Sequence, residues 1–316
     1  MIKASQLKAI AFHLSPKPVK EWLVSFNENR KMEHWKKCYK TKVSKEQVDE
    51  VFSLLDLDSD VIVHSSLPDI GNIKLRDVTD NLNRYVLDKG HTILCPALPI
   101  KGSSLEYLKS IKEFDVRTAS NAMGAISTYY GRQEGAVRSL SPTHSVIAVG
   151  EKAVYYTEEH HLAETPFTET SPYYKLIVNR GKILLFGATF KNLTFVHVLE
   201  DIIGEDCYPV KMYDPRMFEI KVVDGSGVSH YGSFRAHSYR NSVLNDGEEL
   251  YSKVLSLPST IICPIGCSEV ILLDARDTII CMLENLSVGI TRMGRRRISE
   301  CCRQKAEYWI KQIEQS

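Results

Sequence analysis

The order strand, helix, strand between residues 60 and 99 is the feature that most constrains the fold. The apolar runs DVIVHSS and HTILCPALP predict two buried strands. Between them, LRDVTDNLNRYVLDKG predicts a helix that Gly90 ends at its C-cap. Parallel neighbours need a long crossover, usually a helix, so this order predicts a βαβ unit. We therefore expect parallel strands with helices packed on the faces of the sheet.

Further segments extend this pattern along the chain. SKEQVDEVFSLL predicts an amphipathic helix capped by Ser44. GKILLFGA and HSVIAVG predict buried strands, and LTFVHVLEDIIG predicts a helix after a short polar turn. Beyond Cys207, the alternating segment RMFEIKVVDGSGVSHYGSFRAHSYR predicts an antiparallel hairpin with its turn at DGSG. The C-terminal SECCRQKAEYWIKQIEQS predicts a basic amphipathic helix.

The charge balance excludes a general attraction to nucleic acid. The 316 residues include 40 Lys and Arg against 39 Asp and Glu, which gives a net charge of +1. We expect no nucleic-acid partner, and partners must be argued from individual sites. No run of about 18 apolar residues occurs, so we expect no membrane span. The N-terminus lacks the apolar core and cleavage site of a secretion signal, so we expect a cytoplasmic protein.

The eight cysteines lack the paired spacing of a zinc module or a small disulfide scaffold. Cys263 and Cys267 come nearest to a metal pair, but no second Cys or His pair completes four ligands. We therefore expect reduced thiols and no metal.

The first 42 residues differ from the rest of the chain. They are polar, mixed in charge and aromatic in places, which favours short helices packed on the outside of a larger body. We divide the chain into a mostly helical N-terminal extension, residues 1–42, and one domain, residues 43–316.

Polar side chains at two strand ends are the first candidates for a site, because ligands of open α/β sheets bind at the carboxyl ends of strands. One end carries His64, Ser65 and Ser66. The other leads into the helix that holds His197 and Glu200, which lie three residues apart on one helix face. A carboxylate beside an imidazole suits a general base near neutral pH. From spacing alone, a packed core histidine and serines that only cap a turn explain the same residues.

A third polar cluster runs from Pro142 to Ser145 in RSLSPTHSVIAVG. A turn that enters a buried strand explains it as well as a binding role does. The sequence has no Gly-rich phosphate loop, Walker motif, HExxH or GxSxG, so the common nucleotide-binding, zinc-protease and serine-hydrolase interpretations lack their signatures.

Taken together and in order, these clusters resemble the aminoglycoside 3-N-acetyltransferase family, the antibiotic acetyltransferases with an α/β/α fold. The resemblance covers roughly residues 45–250. It rests on five segments: VIVHSSLPDIG (61–71), FDVRTASNAMGAIS (114–127), GAVRSLSPTHSVIAVG (135–150), TPFTETSPYYKL (165–176) and GKILLFGATFKNLTFVHVLED (181–201). It implies an α/β fold, a three-layer α/β/α sandwich with a mixed, largely parallel central sheet, to which the C-terminal part adds antiparallel strands.

The resemblance implies transfer of an acetyl group from acetyl-CoA to an amine in a ternary complex. An ammonium cannot attack a thioester, so a base must remove its proton. His197, which follows Thr194 in the family's Thr-x-x-His segment, is the implied general base, and Glu200 or Glu169 is its orienting partner. Thr194, Glu169 and Lys191 are the candidates for the acceptor side.

On the cofactor side, the resemblance implies a slot for the pantetheine arm and thioester of acetyl-CoA, the expected co-substrate. Hydroxyls and strand-end amides can bond to the pantetheine amides and to the thioester oxygen, where charge develops during the reaction. The candidates are Ser65, Ser66, Met123, Gly124, Thr143, His144 and Ser145.

Two departures from the family pattern shape the expected acceptor. Lys191 stands three positions before Thr194, where the drug-modifying members usually have an acidic residue, and Ser141 replaces the first histidine of His-Pro-Thr-His-Ser. The chain is also neutral overall, whereas a binder of polycationic drugs is expected to be acidic. We therefore expect a less cationic amine, such as an amino sugar on a nucleotide or polysaccharide precursor. Lys191 or the run Arg295 to Arg297 would then meet a phosphate of the substrate or of CoA, although a solvated charge cluster is the simpler explanation of that run.

Three alternatives stay open. The protein could be an aminoglycoside 3-N-acetyltransferase that confers drug resistance, an O-acyltransferase, or a non-catalytic protein that binds CoA or a partner. The presence of both His197 and Thr194 argues against the last of these. The sequence leaves open whether the protein forms a homodimer.

Overall fold

The computed structural model describes residues 16–100, 102–238 and 246–316. The helices are α1 (Lys17–Cys38), α2 (Lys45–Leu54), α3 (Leu67–Ile70), α4 (Leu75–Tyr85), α5 (Ser104–Ser110), α6 (Ala125–Tyr130), α7 (Ala153–Thr157), α8 (Pro172–Val178), α9 (His197–Ile203), α10 (Glu248–Leu255), α11 (Ala275–Ser287) and α12 (Glu300–Gln315). The strands are β1 (Val61–Ser65), β2 (Ile93–Pro96), β3 (Glu113–Asp115), β4 (Val137–Arg138), β5 (Val146–Val149), β6 (Lys182–Phe186), β7 (Tyr213–Val223), β8 (Ser229–His237), β9 (Ile261–Ile265), β10 (Ser268–Asp274), β11 (Ile290–Thr291) and β12 (Gly294–Arg295).

A seven-stranded mixed sheet forms the centre of the fold, in the order β4-β5-β2-β1-β6-β10-β9. Strand β1 pairs in parallel with both β2 and β6. The outer neighbours pair antiparallel. The predicted parallel βαβ unit is confirmed, and so is the mixed sheet, whose parallel strands occupy its centre.

Helices cover both faces of this sheet, which confirms the α/β/α sandwich. Successive residues of a strand point to opposite faces. Val61 and Val63 of β1 therefore pack in one core cluster with residues of α2, α4 and α6. Ile62 packs in the other, with residues of α8, α9 and α11. Burial on both faces explains why these strands are continuous apolar runs.

The predicted antiparallel hairpin is also confirmed. Strands β7 and β8 pair antiparallel, and with β3 they form a three-stranded sheet. Phe114, Val222 and Phe234 of this sheet share a small core with Leu108 of α5. The hairpin ends with His237 opposite Tyr213, which brings an imidazole back towards the first residue of α9.

Two local predictions can be compared directly with the structure. Ser44 caps α2 as expected, in a capping box in which its hydroxyl accepts from the Gln47 amide while the Gln47 side chain accepts from the Ser44 amide. The predicted helix LTFVHVLEDIIG is wrong in its first half, since two 3-10 turns precede α9 and the helix begins at His197. Phe195 and Val196 are buried in the core there, and this tertiary packing overrides the helical pattern.

The N-terminal prediction can be compared with the structure from residue 16 onward, because residues 1–15 lie outside the described residues. Helix α1 is one helix of 22 residues, instead of several short ones. Its Trp35 donates from Nε1 to Asp69 at 2.9 Å. The domain boundary after residue 42 stays a prediction.

The expectation that the cysteines are all reduced is wrong for one pair. Cys207 and Cys301 form a disulfide, with Cα atoms 5.6 Å apart, and the other six cysteines are free. The two partners are 94 residues apart in sequence, so spacing gave no sign of the pairing. Within the described ranges, no helix is long and apolar enough to cross a membrane.

Candidate active site

His197 and Glu200 form a hydrogen-bonded pair at the start of α9. The Nδ1 atom of His197 lies 2.6 Å from Oε2 of Glu200. The histidine side chain is 14% exposed and the glutamate side chain 1% exposed. An ionised carboxylate only accepts hydrogen bonds, so Nδ1 carries the proton and Nε2 is left with its lone pair. The predicted pairing with Glu200, rather than with the exposed Glu169, is the one found.

Arg292 holds the second oxygen of the same carboxylate. Its Nε donates to Oε1 of Glu200 at 2.5 Å, and its side chain is 4% exposed. Arg292 lies in the turn between β11 and β12. Sequence reasoning considered the run Arg295 to Arg297 and missed this neighbour, because nothing in the local pattern marks it as buried. Arg295 itself is exposed and paired with Glu249.

The charges of this cluster set its protonation states. Burial opposes the charge on Glu200, but Arg292 and His197 outweigh it and lower the pKa of the glutamate to about 2. Burial lowers the pKa of His197 below its usual 6.5, and Glu200 offsets part of that effect while Arg292 adds to it. At neutral pH the pair therefore consists of a carboxylate and a neutral imidazole, which is the form that accepts a proton.

Two more imidazoles and a phenyl ring surround His197. Its ring centroid lies 4.3 Å from that of His237 and 5.2 Å from that of Phe167. His144 lies 5.3 Å from His237 and 4.9 Å from Phe167. Burial and the neighbouring imidazoles lower the pKa of His144 to about 3 and that of His237 well below 6.5. Both are therefore neutral donors or acceptors beside the base.

His237 was not a candidate from the sequence. It ends β8, and only the fold brings it to a residue 40 positions earlier in the chain. Its Nε2 is buried without a hydrogen-bond partner among the described residues. Such an atom is costly unless a ligand or water completes it, so it marks the inner wall of a site.

The donor atoms of His197, Glu200 and His237 lie within 4.8 Å of one another, a set that could hold a metal ion. Both Glu200 oxygens are already bonded, one by His197 and one by Arg292. A metal ion would have to displace one of these contacts beside a guanidinium charge. The arrangement therefore favours an acid–base centre.

The predicted cofactor-side residues at the end of β1 differ in their contacts. Ser65 and Ser66 are half-buried, and the Ser66 hydroxyl donates to Asp69. Asp69 also accepts from Trp35 of α1, so the N-terminal helix lies against this strand end. His64, just before them, is buried, and burial lowers its pKa to about 4. The serines occupy the carboxyl edge of the sheet as expected, and their role in binding stays a prediction.

The second group, Thr143 to Ser145, is buried. Thr143 Oγ1 lies 2.9 Å from Nδ1 of His144, and this contact orients the ring that faces Phe167. Ser145 donates to the Ala97 carbonyl at 2.7 Å and accepts from Arg138 at 3.0 Å. Its hydroxyl therefore joins the start of β5 to the end of β2. This contact agrees with the structural explanation of the segment, a turn that enters a buried strand.

The remaining candidates lie around these groups. Gly124, exposed with a φ of 96°, precedes α6 and has open space where a side chain would point. The Met123 amide donates to the Asn121 side chain at 3.0 Å. Thr194 is half-buried in the turn before His197, whereas Lys191 is exposed.

Two of the clefts on the described surface can be compared with the predicted site. The smaller, about 390 Å³, lies beside the dyad and is lined by the carboxylates Glu164, Glu200, Asp201, Glu205 and Asp206, and by Arg235. The larger, about 1100 Å³, lies at the β4 edge of the sheet and is lined by none of the predicted site residues. The acidic cleft therefore reaches the dyad through Glu200, whereas His197 is not part of its lining.

A sequence model of the aminoglycoside 3-N-acetyltransferase family matches residues 62–286. The chain belongs to this family. An aminoglycoside N(3)-acetyltransferase III from Serratia marcescens is 33% identical over 91 residues, which are 28% of this chain and 34% of that protein. The protein of the same name from Salmonella is 34% identical over 91 residues, or 32% of its length. The match thus spans about a third of the length of these relatives.

Several solved structures share the fold of this chain. The crystal structure of aminoglycoside acetyltransferase AAC(3)-Xa has a TM-score of 0.60 at 20% identity, over 90% of this chain and 98% of that one. YokD from Bacillus subtilis has a TM-score of 0.60 at 18% identity, over 87% and 96%. AAC-IIIb, solved as a binary complex with CoASH, has a TM-score of 0.58 at 19% identity, over 74% and 92%. The predicted family and fold class are confirmed.

The family match separates the site residues into two groups. The dyad and His237 lie inside the matched range 62–286, whereas Arg292 lies beyond its end. The candidate active site of this family member is therefore completed by a residue outside the matched region.

Proposed function

We propose that the protein transfers the acetyl group of acetyl-CoA to an amine of an amino sugar, with His197 as general base. The observation that supports this most directly is the 2.6 Å contact between His197 Nδ1 and Glu200, placed after β6 in a chain of this family. It fixes the tautomer whose Nε2 can take a proton.

The chemistry follows from that tautomer. The acceptor nitrogen attacks the thioester carbonyl carbon, and its proton moves to Nε2 of His197. The C–S bond then breaks, CoA leaves as the thiolate and takes the proton, and the N-acetyl product remains. The buried negative charge of Glu200 stabilises the imidazolium that forms in between.

The acidic cleft supports a cationic acceptor. Five carboxylates line it, of which Glu200 is paired with Arg292 and Glu205 is paired with Arg235 at 2.8 Å. Glu164 and Asp206 supply most of the remaining negative charge. Burial raises the pKa of Asp201 to about 7, so that carboxyl is the least charged of the set. Such a surface attracts an amino sugar with several ammonium groups and repels a nucleotide.

We therefore propose an acceptor of the aminoglycoside type, which the family membership also favours, in place of the nucleotide or polysaccharide precursor expected from the sequence. The argument from overall neutrality fails because a chain with a net charge of +1 still gathers carboxylates in one cleft.

Thiol release from acetyl-CoA tests the proposal. Separate reactions would contain sisomicin, which a family member with a solved structure binds, an amino-sugar nucleotide, or a sugar that has hydroxyl groups only. We expect turnover with sisomicin. Turnover only with the nucleotide would overturn the acceptor class, turnover with the plain sugar would establish O-acyl transfer, and CoA binding without any turnover would establish a non-catalytic protein.

The matched variants are His197→Ala and His91→Ala. Removing a general base costs about 10² to 10⁴ in kcat. His91 is paired with Asp58 at 3.2 Å on another part of the molecule, so its loss removes a similar pair without touching the site. We expect turnover to disappear in the first variant, with CoA binding by calorimetry retained, and to persist in the second.

A further inference from the structure

Residues 290–316, which lie beyond the end of the family match at residue 286, contact the helix that carries the dyad. We call this stretch the C-terminal segment; it comprises β11, β12 and α12. It contacts α9 and the loop that follows it at four points, which are separated along the segment.

The first point is Arg292. Its guanidinium donates to Glu200 across 92 positions of sequence, in a buried ion pair. The turn that presents it is internally braced, since the Thr291 hydroxyl donates to the Gly294 carbonyl at 2.7 Å and accepts from the Met293 amide at 3.1 Å. The Arg292 carbonyl also accepts from the Asp246 amide at 2.9 Å.

The other three points lie at the far end of α9. Lys305 donates to the Ile203 carbonyl at 2.9 Å, and Trp309 donates to the Ile202 carbonyl at 2.6 Å. The disulfide joins Cys301 to Cys207, just after the helix. The last carbonyls of a helix have no partner within it, and a cation there also complements the helix dipole.

We propose that Arg292 is a positioning residue for the His197–Glu200 dyad, held in place by the C-terminal segment, which contacts α9 at its middle and at its C-terminal end. This role rests on the proposed function for its kinetic consequences. Arg292 touches neither substrate nor reacting atoms in this scheme. It keeps Glu200 ionised and turned towards Nδ1, and thereby keeps Nε2 of His197 free as the base.

Other titratable groups lie close to the dyad, and their charges also affect the pKa values of His197 and Glu200. His237 and His144 lie beside His197, and Tyr208, Tyr213 and Asp201 lie near Glu200. Arg292 is the cation among these neighbours. Its removal takes away repulsion of the imidazolium, so the pKa of His197 should rise.

The test compares Arg292→Gln with Arg295→Gln. Arg295 is the same residue type in the same segment, but it is exposed and paired with Glu249. We expect Arg292→Gln to lose roughly ten- to a hundredfold in kcat, as for loss of a hydrogen bond to a charged group, with the KM for acetyl-CoA unchanged. The acidic limb of the kcat profile should move to higher pH. Arg295→Gln should match the wild type, and Arg292→Lys should restore part of kcat.

An NMR titration of the His197 ring in the substrate-free protein separates this proposal from the proposed function. The signal is assigned by its loss in His197→Ala. In the same titration, the ring ¹⁵N shifts report which nitrogen carries the proton. Loss of the Nδ1-protonated tautomer in Arg292→Gln supports the positioning role even if no acceptor is turned over, and a wild-type tautomer overturns it. If the Gln variant does not fold, Arg292→Lys decides: a wild-type kcat below its unfolding temperature would show a purely structural role.

Discussion

At the scale of single residues, the decisive feature is that Glu200 has one partner on each oxygen. Arg292 donates to Oε1 and the imidazole donates to Oε2. These two contacts determine how an amide side chain at position 200 would be oriented. In Glu200→Gln the amide oxygen faces the guanidinium, so its NH₂ group must face Nδ1 of His197.

The Glu200→Gln variant should therefore hold His197 in the wrong tautomer. An NH₂ group that donates to Nδ1 leaves the proton on Nε2, where the base must accept one. We expect a loss of about 10³ to 10⁴ in kcat, as when the carboxylate of a catalytic triad becomes an amide. We also expect a loss of stability, because the buried Arg292 loses its counter-ion. The measurement is kcat from thiol release on the folded variant, with Glu50→Gln, at an exposed position of α2, as the control. Near wild-type turnover in Glu200→Gln would contradict the assigned tautomer.

The pH dependence of kcat follows from the state of His197. Protonation blocks the base, so the rate falls as the pH drops through the His197 pKa. Burial places that pKa below 6.5, with Glu200 offsetting part of the effect. With both substrates saturating, we expect kcat to be still high at pH 6.5 and to fall only below it. A rate that already declines above pH 6.5 would contradict this.

Single residues also show what the sequence could predict. His197 and Glu200 could be paired because a spacing of three places them on one helix face, and the structure has that contact. The contacts of Arg292 and His237 with the dyad could not be predicted, because tertiary packing brings each of them to it from tens of residues away in sequence. Buried side chains in a turn and at a strand end carry no periodic signal.

At the scale of elements, the sequence predicted best where one element is periodic by itself. The parallel β1 and β2, the capped α2 and the β7–β8 hairpin were predicted from local pattern. The start of α9 was not predicted correctly, because core packing of the preceding turns determines where the helix begins. The sequence predicted the C-terminal helix, but it did not indicate that this helix contacts α9.

The disulfide between Cys207 and Cys301 should contribute to the attachment of that helix. Cross-links that close long loops typically stabilise a fold by about 2–4 kcal/mol. We expect the double variant Cys207→Ser, Cys301→Ser to lose stability of that order in non-reducing denaturant unfolding, and Cys267→Ser, at an exposed free thiol, to lose little.

Alkylation of the unfolded, non-reduced protein gives an independent check. Six cysteines should react, and the remaining two should do so only after reduction. Eight reactive thiols without reduction would contradict the pairing.

At the scale of the whole molecule, neutrality conceals local charge. The 40 basic and 39 acidic residues nearly cancel, yet carboxylates gather beside the dyad and arginines lie in the larger cleft. Composition could therefore not indicate the acceptor. The fold, by contrast, could be predicted, because the central strands are buried on both faces and therefore occur in the sequence as continuous apolar runs.

The same burial makes the fold sensitive to acid. His64, His144 and His160 are buried, and burial lowers their pKa values to about 4, 3 and 4. In the unfolded chain a histidine titrates near 6.5. Between these values the unfolded state binds protons that the folded state does not, so stability is full above pH 6.5 and falls as the pH decreases.

Each such histidine should remove about 2 kcal/mol between pH 6.5 and 5, at 1.36 kcal/mol for each pH unit. Denaturant unfolding at pH 7.5 and 5.0 measures the sum. His237 and His197, whose pKa values burial also lowers, add to the same effect. We expect a much lower free energy of unfolding at pH 5.0 and a smaller difference in His64→Leu, which removes one of these groups. The Nε2 atom of His64 is buried without a hydrogen-bond partner among the described residues, so the variant loses no such contact there. Equal unfolding midpoints at the two pH values would show that these imidazoles are hydrated or paired in the folded protein.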